Sequence, residues 1–125
     1  MFNPQENTGR LFHCLLQIKM FHFQTLGDSK HRAYGELYDQ LNGFIDEFLE
    51  TYMGKYGRFP LTQDLSIQIT DITKMDEEGY IDELVNYFIS YSDQLDSKLD
   101  SDLLNMRDEI LGHVNHIKYL LKLQY

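Results

Sequence analysis

The chain has 125 residues, 42% hydrophobic and 14% aromatic, with a formal net charge of −9 from 20 acidic and 11 basic side chains. That length and apolar content suit one domain over residues 1–125 around a single core, and argue against wholesale disorder. The acidic surplus repels phosphate backbones, so nucleic acid is an unlikely partner; the lone Cys14 excludes an internal disulfide; no apolar run approaches the ~18 residues of a membrane helix. Met1 to Arg10 lacks the basic and apolar regions of a signal peptide, so the expected compartment is the cytoplasm, of a bacterium or an infected cell.

In chain order, the spacing predicts four helices and one long connection. The first helix runs from about Thr8 to Thr25, with Leu11, Leu15, Ile18 and His22 on one stripe. Leu26, Gly27 and Asp28 break it, and Ser29 is the expected N-cap of the next. The second helix, Lys30 to Tyr56, places Tyr34, Tyr38, Leu41, Ile45, Phe48 and Tyr52 inward, with His31 on the same stripe, and Gly57 closes it. Gly35, Gly43 and Gly54 lie inside this helix, each costing about 1 kcal/mol of helix propensity; they either admit a close neighbouring helix or are simply tolerated. Pro60 and the alternation from Leu65 to Thr70 make residues Arg58 to Lys74 an extended crossover, long enough to return the chain to the other end of a bundle. A third helix is expected from Asp76 to Lys98, with Ile81, Leu84, Phe88, Tyr91 and Leu95 on one face. A fourth runs from Ser101 to the C-terminus, with Met106, Ile110, His113, Ile117 and Leu120 inward. The fold class is all-α, a four-helix bundle with one long crossover between helices two and three.

The chemistry sits in the histidines and in one carboxylate pair. His22 and His31 flank the short hairpin and extend the apolar stripes of their helices, so they face each other at one end of the bundle. Two inward imidazoles are half of a metal site. Asp46 and Glu50, four apart on helix two, share a face and suit a hard cation. His31 and Asp46 are 15 residues apart on one helix, about 22 Å along its axis, whereas metal–ligand bonds are about 2 Å. Either there is no joint site, or a second subunit lying antiparallel across a two-fold axis supplies the other half. An intrachain di-iron centre of the ferritin type is disfavoured, because Arg10 to Thr25 contains no acidic residue. Glu109, His113 and His116 form a weaker cluster on helix four. His13 points away from His22, and Cys14 is a packing residue.

The run His22-Phe-Gln-Thr, then His31, then Asp46-Glu-Phe-Leu-Glu50, resembles the ferroxidase signature of the Dps family of mini-ferritins. The resemblance covers roughly residues 8–56, and Lys19 also stands where that family often has a lysine. It implies a ferritin-like bundle in which His22 and His31 of one subunit and Asp46 and Glu50 of its two-fold mate bind iron. One or two ions would be held per site, Fe²⁺ would be oxidised by peroxide or oxygen, and the ferric product would be sequestered. The implied assembly is a homodimer as the smallest site-forming unit, within a dodecameric cage. The family's lysine-rich DNA-binding tail has no counterpart here. The chain also resembles short ferritin-like proteins of unknown function from large phages and viruses, through Asp108-Glu-Ile-Leu-Gly112 and Tyr119-Leu-Leu. Phe23 stands where the mini-ferritins usually carry Trp, and the hairpin between the histidines is shorter. Both features favour the alternative expectation, a ferritin-like structural or interaction module without catalysis.

Overall fold

Each predicted helix is present, with boundaries that differ from the predicted ones at several ends. The structure, a computed structural model, describes residues 1–123. Helix α1 spans Pro4–Gln24 and so starts a full turn before the predicted Thr8. Asn3 caps it, its side-chain oxygen accepting the Glu6 amide at 3.0 Å, and Pro4 occupies the first turn, where no amide hydrogen is needed. This early start buries Phe2 against Phe48, Tyr52 and Tyr91.

Helix α2 spans Asp28–Tyr56. Ser29 is not its cap, as expected from sequence, but lies in its first turn. Gly27 takes the cap position with φ 100°, a conformation a side chain would strain, and this lets a short hairpin reverse the chain. Gly57, φ 87°, ends the helix as predicted.

Residues 57–76 are the crossover, irregular apart from a single 3₁₀ turn at Ile72–Lys74. Amides and imidazole from one flank of α1 hold it. The His13 Nε2 donates to the Gln68 carbonyl at 3.0 Å, and its Nδ1 accepts from the Tyr80 hydroxyl at 2.9 Å. The Gln17 side chain bonds both the amide and the carbonyl of Thr70, at 2.9 and 2.8 Å, and Gln24 accepts the Ile72 amide at 2.9 Å. The strap therefore runs parallel to α1 and delivers the chain to the end where α2 began.

Helix α3, Glu77–Ile89, is shorter than the predicted Asp76 to Lys98. Ser90 interrupts it, a four-residue helix α4 follows at Tyr91–Gln94, and a turn closed by the Asp96 side chain on the amides of Lys98 and Leu99 leads into α5, Ser101–Leu121. The cause lies on α5. Arg107, only 8% exposed, donates its Nη1 to the carbonyls of Phe88 and Ile89 at 3.0 and 3.4 Å, so the last turn of α3 is capped by a side chain rather than by helix continuing. The predicted inward set Ile81, Leu84, Phe88, Tyr91 and Leu95 is buried nonetheless.

On α5 the buried stripe is Leu103, Arg107, Ile110, Val114 and Ile117, which corrects the expected one. Met106, His113 and Leu120 lie at its edge, half-buried, and the face that turns inward brings Arg107 to the Phe88 and Ile89 carbonyls. The helix was expected to run to the C-terminus but ends at Leu121, two described residues earlier; residues 124–125 lie outside the described residues.

The result is all-α, four long helices packed together on one apolar core. The start of α2 meets the start of α3 through the Tyr34 hydroxyl on Glu77, so these two helices are parallel. The end of α2 meets the start of α5 through Lys55 and Asp102, and the end of α5 meets the start of α3 through Lys118 and Asp82, so α5 is antiparallel to both. Among the described residues no helix is long and apolar enough to cross a membrane.

Candidate metal centre

The α1–α2 hairpin does what the sequence predicts for His22 and His31: it brings them face to face. Their rings stack with centroids 3.9 Å apart and planes 20° from parallel. Each ring is held by the backbone of the other residue. The His22 Nδ1 lies 2.7 Å from the His31 carbonyl oxygen, and the His31 Nδ1 lies 2.7 Å from the His22 carbonyl oxygen. A carbonyl only accepts, so each Nδ1 carries hydrogen and donates, which leaves Nε2 as the nitrogen whose lone pair the neutral imidazole has to offer. This is the tautomer, and the kind of outer support, that a metal-ligating imidazole requires.

Gly35, one turn after His31 on α2, makes room for the stack. A Cβ built there would lie 3.0 Å from the His22 Cε1 and 3.1 Å from its Nδ1. By contrast, a Cβ at Gly43 or Gly54 meets nothing within 4 Å, so only one of the three interior glycines of α2 admits a close neighbour. Sequence reasoning missed the specific role of Gly35; its position four residues after His31 was the signal.

Asp46 and Glu50 lie on the exposed face of the same helix, toward its far end. Among the described residues neither makes a hydrogen bond or ion pair. The rise of about 1.5 Å per residue separates Asp46 from His31 by about 22 Å. Consistently, among the described residues no group of three or more His, Cys, Asp or Glu side chains is placed to hold one ion within a single chain. The four predicted ligands thus fall into two separate pairs, the stacked imidazoles and two carboxylates open to solvent.

The neighbouring residues have defined roles. The Lys19 amine lies over the rings of Tyr38 and Phe23, 4.3 and 5.2 Å from their centroids, on the surface beside His22. Tyr34 is fully buried against Phe21; burial, then its 2.5 Å hydrogen bond to Glu77, pushes its phenol far above the ordinary value. His13 points away from His22, as predicted, and serves the crossover. Cys14 is buried, and burial pushes its thiol up to about 12, which makes it inert. On α5, His113 and Glu109 approach only to 4.0 Å on partly exposed side chains, and His116 is exposed.

The chain belongs to a family of unknown function, DUF5856, whose profile matches residues 22–121, a span that includes all four candidate ligands. It is 32% identical over 121 residues to a protein of Enterobacteria phage T4 described as an uncharacterized 14.6 kDa protein in the mobD-ri intergenic region. That alignment covers 95% of this chain and 88% of the phage protein. No solved structure gives a significant match.

Proposed function

We propose that this member of the DUF5856 family is a ferritin-like iron-binding protein. In this reading His22 and His31 of one chain, with Asp46 and Glu50 of a two-fold mate, hold Fe²⁺, which is oxidised there and sequestered. The observation that carries the proposal is the reciprocal lock of the two imidazoles, each Nδ1 on the other residue's carbonyl at 2.7 Å, which leaves both Nε2 atoms as ligands in fixed orientation. The connectivity supports it, since parallel α2 and α3 joined by one long crossover are the arrangement of ferritin-like bundles. The excess of negative charge favours cation capture.

The stack also bears on how many ions bind. A metal lies in the plane of its imidazole at about 2 Å from the nitrogen. Two stacked rings, centroids 3.9 Å apart and planes 20° from parallel, do not direct both in-plane lone pairs at one ion, so each ring would hold its own and the carboxylates of the mate would complete the pair. Two Fe²⁺ then give one electron each to a single peroxide, which takes up two protons and leaves as two waters.

The test is anaerobic Fe²⁺ titration by calorimetry, followed by peroxide or oxygen with ferric absorbance as readout. His31→Ala and Asp46→Ala each abolish oxidation, whereas mixing the two variants restores part of it, because a mixed dimer retains one intact site. Wild-type protein that neither binds nor oxidises iron, or a mixture that stays inactive, refutes the proposal. It would leave the second reading, a ferritin-like interaction module without catalysis. That reading is favoured by the lack of a complete ligand set within one chain among the described residues, and by the exposed Phe23 beside the histidines.

A further inference from the structure

Glu109 and His113, which the metal reading leaves unused, line a groove of about 250 Å³ between α2 and α5. Its floor is apolar, and its charged lining is acidic throughout: Asp39 and Glu47 from α2 and Glu109 from α5, with no lysine or arginine. The helices set the spacing of these charges. Lys55 of α2 meets Asp102 of the antiparallel α5 at 2.7 Å, so eight residues back along α2 and seven forward along α5 bring Glu47 and Glu109 to one level. Asp39 lies eight residues further along α2, about 12 Å away. Between these two ends Gly43 leaves the groove open, since a Cβ there meets nothing within 4 Å. A second observation is independent of the charges. Gln40, beside Asp39 in the lining, has a buried Oε1 with no hydrogen-bond partner among the described residues. Turning the amide over does not remove this orphan, because its Nε2 lies 3.5 Å from the Glu36 carboxylate, where only a donor is tolerated.

We propose that this groove binds a linear aliphatic polyamine. One ammonium sits at Asp39 and Gln40, the methylene chain lies over Phe44 and Ile110 in the opening at Gly43, and the far ammonium sits between Glu47 and Glu109. Ammonium groups carry donors only, so they match the carboxylates and the orphan acceptor alike, whereas an anion would meet three like charges. The length fits as well. A triamine with nine bonds between its end nitrogens extends about 11 Å at about 1.2 Å per bond, close to the separation of the two acidic ends. A bare divalent cation fits less well: among the described residues no three His, Cys, Asp or Glu side chains converge on one point, and an apolar floor offers it no oxygen. The last torsion of a glutamine is soft, so the Gln40 amide can turn its oxygen to the arriving ammonium and exchange a desolvated, unpartnered acceptor for a charge-assisted hydrogen bond.

The test is calorimetric titration of the full chain with spermidine in about 0.15 M salt, where attraction to the overall charge of −9 is largely screened. One equivalent binds, and butylamine, with a single ammonium, binds about tenfold or more weakly. Gly43→Leu fills the groove without removing a charge; it weakens spermidine binding about tenfold or more and leaves the helical circular dichroism unchanged. Glu109→Gln also weakens binding about tenfold, whereas Asp64→Asn, the same loss of charge on the exposed crossover, has no effect. Gln40→Met weakens spermidine binding yet raises the urea midpoint of the amine-free protein, because it removes a buried acceptor that has no partner. Absence of saturable binding overturns the proposal. So does binding that survives both Gly43→Leu and Gln40→Met, or that an equal charge of Mg²⁺ displaces as well as spermidine does, since a diffuse acidic surface then accounts for it. The groove contains none of His22, His31, Asp46 and Glu50. Protein that binds spermidine but no iron therefore sustains this inference and refutes the metal reading, and the converse result does the opposite.

Discussion

Replacing Gly35 with alanine sets two effects of opposite sign against each other. In the interior of a helix the change from glycine to alanine stabilises by about 0.8–1 kcal/mol, through the entropy of the unfolded chain. At this position the new methyl would sit 3.0 Å from the His22 Cε1 and 3.1 Å from its Nδ1, inside ordinary contact, so the ring must move. The first thing lost is the 2.7 Å hydrogen bond to the His31 carbonyl, worth about 0.5–1.5 kcal/mol net. The two terms nearly cancel, and Gly35→Ala is expected to lie within about 1 kcal/mol of wild type in urea unfolding. Gly43→Ala on the same helix, where the methyl meets nothing within 4 Å, keeps the full gain and serves as the reference. Metal binding has no such compensation. Loss of the outer hydrogen bond that orients a ligating histidine costs about 10–100-fold in affinity, so Gly35→Ala weakens the Fe²⁺ or Co²⁺ titration by that factor while Gly43→Ala leaves it unchanged. If Gly35→Ala is as stabilised as Gly43→Ala and titrates like wild type, the imidazole stack is not held as described.

Three further outcomes follow from other parts of the fold. Arg107→Met removes the donor to the Phe88 and Ile89 carbonyls and should lower unfolding free energy by about 1–3 kcal/mol in urea titration; a neutral result would show that water replaces the guanidinium. Acid should loosen the junction of α2 with the turn before α5. Burial pushes the Asp100 carboxyl up, but the Tyr56 hydroxyl, the Asp96 amide and Lys55 together hold it below its ordinary 3.8, and Asp102 is lowered by Lys55. A carboxyl lowered on folding stabilises above the unfolded value and loses that contribution as pH falls through the folded one. Urea midpoints should therefore drop below about pH 4, and Asp100→Asn should flatten that limb. Finally, with its thiol pushed up to about 12 and buried, Cys14 should react with a disulfide reagent only after denaturation, and a fast reaction in the native protein would contradict the packing.

How much of this was legible in the sequence depends on the range of the forces involved. The hydrophobic period identified four helices, and a short break between two histidines on apolar stripes identified the facing imidazole pair, because both are local consequences of 3.6 residues per turn. The same rise per residue separated Asp46 and Glu50 from that pair. Gly57 as a terminator was readable for a similar reason, since a glycine beyond a periodic run needs no partner to be interpreted. Asn3 was equally local, and the early start of α1 was missed only because the apolar stripe begins later than the cap does.

Tertiary structure decided the rest. Arg107 looks like a surface residue, and only the approach of α5 to the end of α3 turns it into a buried cap, which ends that helix at Ile89 and rotates the α5 stripe away from His113. The glutamines of α1 carry no sequence mark of the strap they hold, because an amide finds a backbone partner only after the crossover has been laid alongside it. Gly35 shows the same division most plainly. The sequence by itself determined that a flexible, side-chain-free position lies four residues from His31; that an imidazole from another helix fills the space depends on a contact between helices, and periodicity along one chain has no information about distances across two.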